Sequence, residues 1–211
     1  MRVRSPFLQP QLKEQLPLYL FVGVLFIVGV VFGTVLSSSL TLEQQQELSG
    51  DVQHFAQLLG AGAGPDQAAS FWDRAWLHSK WIALIWLLGM TVIGVPLLLA
   101  LDFLKGVLVG FSMGLLVSQH AWAGVLFWLL AVAPQNIIIV PALMIASVSA
   151  IRFAVHFVKS RLFQQQGALL PPLAVHCAIA IGMLSILWGA AWFEAYVSPY
   201  VMGWASGLLT G

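Results

Sequence analysis

The pentapeptide GFSMG, Gly110 to Gly114, has the G-x-S-x-G form of a hydrolase nucleophile elbow, with Ser112 in the place of the attacking hydroxyl. An elbow needs a strand-to-helix turn, a His and an acid, whereas Ser112 lies inside an apolar helical run. Gly106, Gly110 and Gly114 recur there at every fourth residue. That spacing is a helix contact stripe, suited to packing within the chain or against a second copy of it. Gly29 and Gly33 form a shorter stripe of the same kind. Five histidines, His54, His78, His120, His156 and His176, raise the question of a metal, but no two share a four-residue ligand spacing and H-E-x-x-H is absent. Each falls near an expected membrane boundary, where an amphipathic ring is at home. No metal, cofactor or catalytic residue is therefore expected. Cys177, the single cysteine, can form no internal disulfide. Asp102 and Lys105 are expected to pair at the cytoplasmic surface, and Glu194, among Trp188, Trp192 and Tyr196, to sit at the outer one.

The stretch LLAVAPQNIIIVPALM, from Leu129 to Met144, carries the remaining polar chemistry. Pro134 and Pro141 each remove a backbone donor, and the amides of Gln135 and Asn136 can satisfy the peptide groups so freed. A single helix from Ala121 to Ile151 would be about 45 Å long, more than a bilayer core requires, so a break at Pro134-Gln135-Asn136 is expected. The break is either structural, held by side-chain amides, or the lining of a path for a small solute or ion.

These residues are set in a chain that is 60% hydrophobic and only 8% charged, against about a quarter charged in soluble domains. A net charge of +1 gives no electrostatic case for nucleic-acid binding. The composition predicts an all-α, polytopic membrane protein forming one integral domain over residues 1–211. Apolar blocks at about 18–38, 81–101, 103–118, 121–151 and 173–195 predict five crossings, with the turn LDFLK between the second and third. The first block is too long for a signal peptide and reads as a retained span. Arg2, Arg4, Lys13, Lys105, Arg152, Lys159 and Arg161 would fall on one side, which predicts a cytoplasmic N-terminus over residues 1–17. Residues 39–80 lie outside and predict two short amphipathic helices, the first capped by Thr41 and Gln44, the second started by Asp66 after GAGAGP. Leu48, Val52, Phe55 and Leu59 share one helix face, and Phe71, Trp72, Trp76 and Trp81 follow as headgroup-level aromatics. Those faces serve either to pack on the bundle, residues 81–195, or to receive other proteins.

The segments LYLFVGVLFIVGVVFG, LKGVLVGFSMGLLV, APQNIIIVPAL and SRLF, taken together over nearly the whole chain, resemble the stage II sporulation protein M family. The PQN break followed by IIIVPA is the most specific part. The resemblance implies a multi-pass protein of the bacterial cell membrane, on the mother-cell side of the sporulation septum, needed for engulfment of the forespore. It implies a scaffold for two peptidoglycan-degrading partners, stage II sporulation proteins D and P, with catalysis left to them. Leu48, Val52, Phe55, Trp72 and Trp76 are then the expected partner surface. A permease for a small solute or ion, using the break at Pro134 to Asn136, is the alternative.

Overall fold

The computed structural model describes residues 9–62, 64–91, 93–162 and 170–205, all of them helix or short connection. Arg2 and Arg4 lie outside the described residues. The helices are α1 (Gln9–Ser38), α2 (Leu42–Gly60), α3 (Gln67–Gly89), α4 (Gly94–Ala131), α5 (Ala133–Leu162), α6 (Leu170–Tyr196) and α7 (Ser198–Ala205). Among the described residues four helical segments are long and apolar enough to cross a membrane: Gln15–Ser38, Gly94–Ala131, Ala133–Ser160 and Leu170–Ala205.

Two of the expected boundaries lie elsewhere. No turn occurs at Asp102–Lys105: α4 runs through them, since neither Gly nor Pro interrupts Leu101 to Lys105. The second amphipathic helix does not stop near Lys80 but continues as α3 to Gly89, so the expected block 81–101 is split at its middle. The connection there is set by Thr91, whose hydroxyl accepts from the Gly94 N–H at 3.0 Å, and by Gly94, where a Cβ would run into the Leu88 carbonyl. Pro96 then falls in the first turn of α4, where a missing N–H costs nothing.

The residues that meet give the directions of the helices. Gly29 lies against Phe103 and Gly106, Gly33 against Val107, and Ser37 against Gly114, so α1 and α4 run parallel. His78 lies near Glu194 and Gly89 near His176, so α3 and α6 are antiparallel. Gln135 shares a cavity with Glu194 while Ser149 bonds His176, so α5 runs antiparallel to α6 as well. One end of the bundle thus gathers the end of α1, the start of α3, the start of α5 and the end of α6. α2 and α7 cover that end, with Asp66 capping α3 through Ala68 and Ala69 and the Thr41–Gln44 capping box starting α2.

At Ala121 the chain reverses. Its backbone, φ 46° and ψ −122°, is the first central position of a type II′ turn, which favours glycine. A straight helix would put residues 112 and 128 about 24 Å apart, yet the Trp128 indole donates to Ser112 Oγ at 3.1 Å. Gly124 makes the return possible, because a Cβ there would fall on the Leu116 carbonyl. The arm from Trp122 to Ala131 therefore folds back on α4 and ends at Val132, where α5 begins. Pro134 stands in the first turn of α5 rather than inside a long helix, and Pro141 lies within it, exposed. Ala121→Gly should relieve backbone strain worth about 1 kcal/mol; thermal unfolding in detergent would register it as a raised midpoint.

Candidate functional site

Three sets of residues gather at the covered end of the bundle. The first is the interlock of α1 and α4. Added Cβ atoms at Gly29, Gly33, Gly106, Gly110 and Gly114 would all collide with the opposite helix, mostly with its backbone. Thr34 Oγ1 donates to the carbonyls of Val30, at 2.9 Å, and Gly110, at 3.2 Å. The two stripes are consumed against each other within one chain. Ser112 is no nucleophile in this setting, since its hydroxyl donates to the Val109 carbonyl at 2.9 Å and receives the Trp128 indole.

The second set is a buried polar joint. His78 Nε2 lies 3.5 Å and Arg74 Nε 3.9 Å from Glu194 Oε2; the Glu194 and His78 side chains are 7% and 6% exposed, while Arg74 reaches solvent. Glu194 therefore packs between helices instead of facing solvent, at the covered end of the bundle with Trp192 and Tyr196. Ser70, Gln135 and Ser198 line a cavity of about 100 Å³ beside it, with Phe55 and Met202. Lys105, on α4, lies close enough to interact electrostatically with Glu194. No ion pair within 4.0 Å joins Asp102 to Lys105 among the described residues. Asp102 instead accepts from Ser147 Oγ at 2.9 Å, within the bundle. Of the two amides in the break, Asn136 donates to the Val132 carbonyl at 2.9 Å and closes the corner, while Gln135 faces the joint. By sequence His78 reads only as a boundary histidine, with nothing to pair it with Arg74; the two are four residues apart on one face of α3, which a single helix over Gln67–Gly89 brings together.

The third set is the cover itself. The inner face of α2 is formed by Gln45, Ser49, Val52 and Ala56. Gln45 accepts from Gln119 at 3.0 Å and donates to the Ser37 carbonyl at 3.1 Å, and Gln53 bonds His120. Val52 thus packs inward, against a cluster of Ala56, Leu116, Phe127, Ala131 and Ala205, rather than facing outward with Leu48 and Phe55. Leu48 and Phe55 are 38% and 42% exposed, and Trp72 and Trp76 are 61% and 65% exposed. Lys80 reaches over the Trp76 ring at 5.4 Å, and Trp72 meets Trp188 edge to face.

Chemically, the polar joint can hold a proton or order water beside a fixed carboxylate. Among the described residues no three of His, Cys, Asp and Glu converge as metal ligands. The arrangement is that of a packed helical membrane body with one elaborated end. Neither a curated protein nor a solved structure matches the chain. The family profile described as stage II sporulation protein M matches residues 22–199, from the middle of α1 to the start of α7. Over that length the chain belongs to the stage II sporulation protein M family.

Proposed function

We propose that the protein is a non-catalytic scaffold of the sporulating cell's membrane, required for engulfment, whose covered end recruits the septal peptidoglycan-degrading enzymes, stage II sporulation proteins D and P. The family membership and the membrane-spanning helices are its base. The observation that carries the reading further is the cover of α2 and α7, which among the described residues is a folded surface built on one end of the bundle.

Orientation is part of the same proposal. Lys13 and, at the far end of α5, Arg152, Lys159 and Arg161 belong to one end of the bundle, while Glu43, Glu47, Asp51, Asp66 and Asp73 belong to the other. An excess of Lys and Arg marks the cytoplasmic side, so the cover faces the wall and the N-terminus the cytoplasm. α3 would then make a fifth crossing beside α6, with its Arg74, His78 and Lys80 near the outer surface.

Within the cover, Leu48, Phe55, Trp72 and Trp76 are the partner contacts we infer, Val52 serving the interior. Aromatic anchors commonly carry about 2 kcal/mol or more of an interface. Phe55→Ser with Trp72→Ser should therefore cut recovery of the two hydrolases in a pull-down roughly tenfold or more. Undiminished recovery at normal membrane levels would overturn the reading.

A solute path is the second reading, favoured by the buried side chains of Glu194 and His78 with half-buried Gln135 and solvent-reaching Arg74 beside them. It requires flux in proteoliposomes that a folded Gln135→Leu variant loses; vesicles that stay tight with the unaltered protein remove it.

A further inference from the structure

At the other end of the bundle a cavity of about 340 Å³ lies between α5 and α6. Exposed Arg152 and half-buried His156 line it, and its buried polar groups are Ser149 and His176, joined through Nδ1 at 3.0 Å. The His176 ring stacks on Phe153 with centroids 5.4 Å apart, and Ile179 extends the apolar wall. No carboxylate lines the cavity, and among the described residues none lies within 4.0 Å of Arg152.

Arg152 is a permanent cation with a planar fork of donors, built for two-point contact with a phosphate. One turn further along α5, His156 shares its Nε2 with Ser160 Oγ at 3.4 Å and offers Nδ1 as a second donor. Apolar walls beside such a pair suit an occupant that is anionic at one end and hydrocarbon at the other, and the ends of spanning helices are where phospholipid headgroups lie. Basic pockets between helices at that level are sites of anionic lipid recognition.

We propose that this cavity binds the phosphate headgroup of an anionic phospholipid, with Arg152 and His156 on the phosphate and an acyl chain along Phe153 and Ile179. The site is independent of which enzymes the opposite end recruits. It gives the protein a lipid-dependent stability that a neutral bilayer does not supply.

The test uses the full chain, purified and delipidated in detergent, with retention of added lipid read by native mass spectrometry and thermal unfolding read in parallel. Phosphatidylglycerol should be retained and raise the unfolding midpoint, whereas phosphatidylcholine should do neither. Arg152→Gln should weaken phosphatidylglycerol retention roughly fivefold, the value of one basic contact near an anionic surface. Lys159→Gln, a basic residue outside the cavity, should leave it near the unaltered level. Ile179→Trp, which fills the cavity without touching charge, should abolish retention and serves also if Arg152→Gln does not fold. Equal retention of the two lipids, retention unaffected by filling the cavity, or an equal loss in Lys159→Gln would each overturn the proposal. Protection by inorganic phosphate alone, without lipid retention, would overturn it too.

Discussion

Gly110→Leu should remove most of the folded protein from the membrane fraction. The position has no room for even a methyl group, because a Cβ there falls on the Val30 carbonyl of α1. A leucine must push the two backbones apart over several turns, losing the packing that Gly29, Gly33, Gly106 and Gly114 depend on, together with the Thr34 bond to Gly110. Overpacking a tight contact costs 1–3 kcal/mol where side chains can yield, and a backbone carbonyl cannot, so about 3 kcal/mol or more is expected. Against a total stability of order 5–15 kcal/mol this is severe. Detergent-solubilised variants followed by fluorescence size-exclusion should show a collapsed monodisperse peak. Gly189→Ala is the matched control, since nothing lies within 4 Å of its Cβ position. There the higher helix propensity of alanine should raise stability by about 1 kcal/mol.

Phe127→Ala should cost about 3–5 kcal/mol by the cavity it leaves. The ring is fully buried and heads the cluster shared by α2, α4, its returning arm and α7, with Ala56, Leu116, Ala131 and Ala205 around it. The three alanines have no rotamers with which to close the gap. The loss concentrates where α2 and α7 are attached, so limited proteolysis from the covered side should cleave α2 far faster than in the unaltered protein, while the spanning helices stay protected. Cleavage of α2 at the unaltered rate would show that α2 is held by its glutamines instead, through Gln45 and Gln53.

Much of the fold is written locally. Thr41 with Gln44, and Asp66 ahead of Gln67, announce their helices because capping is satisfied within a few residues. The glycine stripes are equally plain, since their period alone tells which face must be narrow. What escapes a local reading is every polar group whose partner is remote. Asp102 and Lys105 look like a loop until Ser147 and Glu194 are brought to them from other helices. Glu194 looks like a surface acid until Arg74 and His78 arrive from α3. The reversal at Ala121 escapes for a different reason: it uses an alanine in a conformation that glycine prefers, and the return of the arm is secured by Gly124 and Trp128, which carry no turn signature. Pro134 suggests an interruption within one long helix, whereas it stands in the first turn of α5, after the corner at Val132.

The parallel pairing of α1 with α4 bears on how the molecule is made. Thr34 and Gly110, which bond each other in the finished protein, are 76 residues apart. At 5–20 residues per second a ribosome needs roughly 4 to 15 s to span that interval, during which α1 sits in lipid with its glycines bare. Every nascent copy passes through this unpaired stage, and a neighbouring copy at the same stage offers the same bare stripe. Fidelity of biogenesis therefore depends on how promptly α4 follows its partner out of the insertion machinery.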